Sequence, residues 1–167
     1  MLRLTLILAV MLLAGCGGTV TDQPGHTSAP ASQPRPPSTP KPTLTGFSSR
    51  PPAAWLETEA GSLWLGYSSY CWTTVCVDFV APSCGDTEHT PKITVRRNEL
   101  VTAHLGFEPT ELGLQYLPGS QTPKAQDQRT LELSKSPTWR AERDGVFSLF
   151  ARAEGGDASY VACFEFK

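Results

Sequence analysis

The chain has 167 residues, 14 Lys+Arg against 16 Asp+Glu for a formal net charge of −2, and 40% hydrophobic residues. No basic stretch with interleaved aromatics occurs, so the sequence lacks the electrostatic footprint of a nucleic-acid binder. The length leaves room for one ordinary domain once a compositionally biased N-terminal part is set aside.

Arg3 precedes an apolar run from Leu4 to Leu13, interrupted only by Thr5. One positive residue, about ten apolar ones and then small residues make an export signal, whereas a membrane span needs roughly 18 apolar residues. The run closes on Leu13-Ala14-Gly15-Cys16, which resembles the bacterial lipobox of a leucine, two small residues and a cysteine. The resemblance implies a lipoprotein signal peptide over residues 1–15, cleavage before Cys16, and a diacylglycerol carrying fatty acids such as palmitate on the Cys16 sulfur. Each buried acyl methylene contributes roughly 0.8 kcal/mol, so two chains hold a protein on one leaflet. The expected location is the bacterial cell envelope, lipid-anchored and outside the cytoplasm, with the membrane as the first partner.

Residues 16–50 form the next segment. It carries seven prolines (Pro24, Pro30, Pro34, Pro36, Pro37, Pro40, Pro42), with much Ser, Thr and Gln and little to bury. Such a composition cannot offset its ordering entropy, and predicts a disordered tether of polyproline character. Its 34 residues beyond Cys16 reach roughly 105 Å when extended at about 3.1 Å each. The alternative is a proline-rich ligand for a partner, through Pro34-Arg35-Pro36-Pro37.

Residues 51–167 hold ten Lys and Arg against fifteen Asp and Glu, a net −5. Hydrophobic periodicity here is two rather than 3.6. Strands are predicted at Leu63–Tyr67, Val75–Val80, Ile93–Val95, Leu100–Phe107, Leu112–Leu117, Thr130–Leu133, Val146–Ala151 and Ser159–Phe166. In the last, Tyr160, Ala162, Phe164 and Phe166 share a face. Pro118-Gly119, Asp144-Gly145 and Gly155-Gly156-Asp157 supply turns. Asn98-Glu99-Leu100 is a possible start of a short helix. The pattern predicts an all-β fold, an antiparallel β-sandwich, with a small β-barrel as the alternative.

Tyr70-Cys71-Trp72, Cys76-Val77-Asp78, Pro137-Thr138-Trp139, Asp144-Gly145-Val146-Phe147 and Gly156-Asp157-Ala158-Ser159-Tyr160 resemble an immunoglobulin-like domain of bacterial cell-envelope lipoproteins. The resemblance implies a sandwich ending in strands Val146–Ala151 and Ser159–Phe166, and brings with it neither an activity nor site residues. One departure is that Phe147 cannot supply the hydroxyl of a tyrosine corner.

With Cys16 assigned to lipid, Cys71, Cys76, Cys84 and Cys163 remain. An even number in an exported domain predicts two disulfides, for which three pairings exist. If Trp72–Val75 is a hairpin loop, Cys71 and Cys76 face each other at its base; Cys84 then meets Cys163. A metal site of Cys71, Cys76, Cys84 and His89 is the competing use of the same residues. Redox catalysis fits less well, because four residues rather than two separate the first pair and no helix follows.

No cofactor fingerprint or phosphate-cradling loop is present. A hydrolase needs a nucleophile with a base in reach, and the base candidates are His89 and His104, the latter placed by alternation beside Thr102 on the solvent face. A serine or carboxylate within hydrogen-bond distance of either would favour that reading. Glu57 with Glu59, Glu108 with Glu111, and Asp86 with Glu88 and His89 are weaker carboxylate groupings. Trp64 is expected to pack the core. Tyr70 and Trp72, two apart on the stapled loop, form either a hydrophobic cluster at the sandwich end or an anchor for a protein or glycan. The functional expectation is a non-catalytic binding or interaction module of the envelope, with a small envelope hydrolase or a metal-binding protein as alternatives.

Overall fold

The computed structural model describes residues 34–39, 41, 49–79, 81–117 and 128–167. The expected signal peptide, Cys16 and most of the expected tether lie outside the described residues. Eleven strands are described: β1 (Trp55–Thr58), β2 (Gly61–Trp64), β3 (Gly66–Trp72), β4 (Val75–Val77), β5 (Lys92–Val95), β6 (Leu100–His104), β7 (Glu111–Leu117), β8 (Gln128–Thr130), β9 (Thr138–Arg140), β10 (Gly145–Ala153) and β11 (Gly156–Phe166). Among the described residues no helix is long and apolar enough to cross a membrane.

The strands form two sheets and no closed barrel. The smaller has the order β2-β1-β6-β9, and the larger β4-β3-β11-β10-β7-β8. All pairs are antiparallel except β5, which runs parallel to the end of β11, with Cys163 opposite Lys92 and Phe166 opposite Val95. The antiparallel β-sandwich expected from period-two patterning is therefore the fold, with one parallel strand added. Leu56 of β1, Val101 and Ala103 of β6 and Trp139 of β9 face Leu112 and Leu114 of β7, Phe147 and Leu149 of β10, and Tyr160 and Phe164 of β11 in one core. Trp139 meets Phe147 edge-on across the two sheets, with ring centroids 5.5 Å apart.

The chain changes sheet at Leu65. This residue is 1% exposed, and its amide donates to the Ala54 carbonyl at 3.0 Å. Gly66 then allows a close backbone approach, since a Cβ there would lie 1.9 Å from the His89 carbonyl oxygen. The single strand expected over Leu63–Tyr67 is thus two, one in each sheet. A second irregularity follows in β3. Tyr67 pairs with Tyr160 but Tyr70 with Ala158, so one extra residue is taken up at Ser68–Ser69. Such a bulge turns Tyr67 and Tyr70, three apart, onto the same inward face.

Three inward tyrosines tie the layers together. Tyr67 Oη donates to the Pro51 carbonyl (3.0 Å), Tyr160 Oη to that of Pro52 (2.7 Å) and Tyr116 Oη to that of Arg140 (3.3 Å). Burial favours the neutral phenol, so Tyr67 is pushed up to about 12, with Arg50 opposing and Tyr70 adding to the shift. Burial raises Tyr160 further and Tyr116 in the same direction. A buried hydroxyl left without a partner would cost more than the bond contributes, so the Tyr67 and Tyr160 bonds specify how the entering Pro51-Pro52 segment is placed, and the Tyr116 bond ties β7 to β9.

Asn98-Glu99-Leu100 does not begin a helix. Asn98 sits at φ 65°, and the buried Glu99 carboxylate accepts the amides of Glu59 (2.7 Å) and Arg96 (2.8 Å), closing a turn instead.

Candidate functional site

The outer face of the larger sheet has a covered part and an open part. Val161 and Cys163 point away from the core yet are 1% exposed. The loop from Ala81 to Pro91 lies over them, held by the Cys84–Cys163 disulfide. Within this loop the Asp86 carboxylate accepts the amides of Glu88 and His89 and pairs with the His89 ring at 2.9 Å. Those bonds, the His89 amide first, hold Asp86 below the usual carboxylate range despite a smaller opposing effect of burial. Beneath the loop is a cavity of about 280 Å3, lined by Tyr67, Phe79, Pro82, His89, Thr90 and Val161 among others.

Beyond the loop the face opens into a groove of about 630 Å3 across β8, β7, β10 and β11. Strand register builds it. Gln128, Gln115 and Ser148 lie opposite one another in one row, and Thr130, Gly113, Phe150 and Ser159 in the next. Gly113 contributes no side chain, which leaves the Phe150 ring uncovered from that side; a Cβ there would touch the Phe150 Cβ at 3.9 Å. None of Gln115, Gln128, Thr130, Ser148 and Ser159 has a side-chain hydrogen-bond partner among the described residues. At one end Arg152 lies 5.5 Å over the Phe150 ring and pairs with Glu111 at 2.8 Å. The groove therefore offers amides and hydroxyls around one aromatic ring, with two arginines in or beside its lining that are each paired to a carboxylate, Arg152 to Glu111 and Arg129 to Glu142. That donor set suits a hydroxyl-rich, largely uncharged ligand whose C–H faces can lie on a ring.

On the smaller sheet, His104 stacks on Trp55 with centroids 3.8 Å apart, and its Nε2 lies 3.0 Å from Glu57 Oε2. Its Nδ1 lies 3.2 Å from Ser136 Oγ. The ladder between β6 and β9 continues beyond Thr138 through Leu105 N–H to the Lys135 carbonyl, which brings Ser136 opposite His104. His104 thus meets both the serine and the carboxylate that a hydrolase would require. The Ser136 amide is already spent on Ser134 Oγ at 3.0 Å, so it does not point toward a developing oxyanion. Neither Ser136 nor the groove was visible in the sequence, because both depend on pairing register between distant strands.

The remaining expected residues fall as follows. Cys71 pairs with Cys76 and Cys84 with Cys163, as the hairpin argument anticipates. Those disulfides withdraw the thiolates from the Cys71, Cys76, Cys84 and His89 metal set, and among the described residues no group of three or more His, Cys, Asp or Glu side chains converges on a cation position. Tyr70 is 2% exposed and belongs to the core, whereas Trp72 is half-buried against Phe107 at the end of the sandwich. Trp64 packs on the margin of the core rather than inside it. Glu57 and Glu59 go separate ways, to His104 and Arg96. Glu108 pairs with Lys135 at 2.9 Å.

No protein-family model, curated protein or solved structure matches this chain.

Proposed function

We propose that the chain is a bacterial envelope lipoprotein, anchored through Cys16, whose β-sandwich is a non-catalytic binding module for a largely uncharged glycan. The observation that carries the reading is the groove in which Gln115, Gln128, Thr130, Ser148 and Ser159 surround Phe150. The export signal, the Leu13-Ala14-Gly15-Cys16 motif and two disulfides together support an oxidising compartment reached through the membrane. A glycan ligand fits a module held near the envelope's own polysaccharides.

Calorimetric titration of the full chain with neutral hexose oligomers and with peptidoglycan-derived oligosaccharides tests the binding. Saturable heat that disappears in Phe150→Ala supports it; binding unchanged by that substitution would sink it. The anchor has its own test, fatty-acid labelling during export, with loss of label and of membrane retention in Cys16→Ala. A Cys16→Ala chain that stays on the membrane would refute the anchor while leaving glycan binding untouched.

A small hydrolase is the second reading, favoured by the row Glu57–His104–Ser136. A fluorophosphonate probe decides it. Labelling that depends on both Ser136 and His104 would establish a catalytic serine, and an unlabelled chain would exclude one of that reactivity.

A further inference from the structure

The segment Pro34–Thr39 belongs to the same unit as the sandwich, Gln33–Lys167. Trp64, at the end of edge strand β2, donates its indole Nε1–H to the Thr39 carbonyl at 3.0 Å, across 25 residues of chain. Pro37 is half-buried, while Pro34, Arg35, Pro36, Ser38 and Thr39 are exposed, and the chain bends at Ser38–Thr39. Trp64 stands opposite Trp55 in the β1–β2 pair and packs partly on the core, so its ring is held in place before any segment arrives. Nearer the domain, the Ser49 and Thr73 hydroxyls are in contact, and the chain then enters the sandwich under Tyr67 and Tyr160.

Prolines at 34, 36, 37, 40 and 42 restrict φ and remove backbone donors. Such a segment favours the extended polyproline II form, whose carbonyls have no partner within the segment. Recognition of this form elsewhere uses aromatic-lined surfaces, and the preformed helix loses little entropy on docking. A tryptophan that is packed below and carries an outward N–H supplies both an apolar surface and the donor. An edge strand lets the segment approach without displacing a neighbour.

We infer that the Trp64 edge of the smaller sheet is a docking site for a proline-rich segment that bends where its carbonyl meets the indole, and that its occupant is this chain's own Pro34–Thr39. On the lipid-anchor reading, docking changes the height of the domain above the membrane. Only residues 17–33 then separate Cys16 from the docked segment, about 53 Å at ~3.1 Å per residue, against roughly 105 Å for the whole tether on the same measure. Docking itself does not depend on the anchor, and a Cys16→Ala chain serves for its test.

Nuclear magnetic resonance of the four tryptophan indole N–H groups provides the readout. Trp64→Phe assigns the Trp64 signal, and the other three report that the fold is kept. Replacing residues 34–39 with a Gly/Ser sequence should speed solvent exchange of the Trp64 indole roughly tenfold, the size of one net hydrogen bond. A synthetic peptide of residues 34–42 added to the replaced chain should restore protection. Unchanged exchange after replacement, or a peptide that restores nothing at millimolar concentration, would overturn the inference. Protection in the native chain that appears only as protein concentration rises would overturn docking within one chain in favour of a second copy.

Discussion

On the outer face of the smaller sheet, polar groups answer one another: Glu57 and Ser136 both reach His104, His104 lies on Trp55, and the Trp64 indole donates to the Thr39 main-chain carbonyl. On the larger sheet, among the described residues, the outer face is closed where the Cys84 loop covers Val161 and Cys163. Next to that cover, amides and hydroxyls surround Phe150 without protein partners among the described residues. Both faces come from the same outward positions of alternating strands, so alternation alone does not distinguish them. What differs is whether cross-strand neighbours satisfy each other. A face that does so is sealed, and one that does not is available to a ligand.

The largest expected effect concerns the cover. Its disulfide joins residues 79 apart, against 5 for Cys71–Cys76. On the chain-entropy account, replacing Cys84 and Cys163 by Ala costs roughly 4.5 kcal/mol, and replacing the other pair about 2. Urea unfolding of the two double variants should show this asymmetry; equal losses would remove the long-loop tie as the dominant staple. Next in size is the face proposed to bind glycan. Phe150→Ala should weaken glycan binding at least tenfold, about 1.4 kcal/mol, while His104→Ala leaves it unchanged. A loss of binding only in the His104 variant would reverse the roles of the two faces.

The buried tyrosines connect the sheets beneath both faces and have an alkaline signature. Tyr67 and Tyr160 stay protonated in the folded state where the unfolded chain loses its protons near the ordinary value of 10.0. Their contribution is complete below pH 10 and is lost as pH rises from 10 toward 12 and beyond, by up to roughly 1.4 kcal/mol per pH unit for each. Tyr67→Phe should cost about 1 kcal/mol at pH 7 through its bond to Pro51, and should flatten that alkaline decline. An undiminished decline would assign it to other groups. The smallest effects belong to the sealed face. Glu57→Gln should cost at most about 1 kcal/mol, because that carboxylate is 42% exposed. Ser136→Ala should stay within roughly 0.5 kcal/mol in thermal unfolding.

The long alternating strands were legible in the sequence: Val146–Ala151 and Ser159–Phe166 fall inside β10 and β11. The two disulfides followed from hairpin geometry and from the even number of cysteines left in a domain expected to be exported. β9 was not legible, since Trp139 is its one buried residue and offers no repeat to detect. β1 has four residues directly behind a proline-rich run. The Leu63–Tyr67 run concealed a change of sheet at Leu65, where burial, the bond to Ala54 and the close approach of Gly66 to His89 all depend on residues distant in sequence. β8, Gln128–Thr130, meets the expected Thr130–Leu133 at Thr130 and extends upstream of it. The groove residues looked like ordinary solvent positions, because Gln115, Ser148 and Gln128 converge through register and not through spacing. Tyr70 was legible as sharing a face with Trp72, but the bulge at Ser68–Ser69, which aligns it with Tyr67 toward the core, was not.

The most direct measurement is an amide chemical-shift map of the full chain titrated with the oligosaccharide that gives saturable heat. Binding in the groove requires the largest shifts at Gly113, Gln115, Ser148, Phe150 and Ser159, with Trp55, His104 and Ser136 unmoved. Shifts centred on His104 and Ser136, with the groove silent, would contradict it and place function on the smaller sheet.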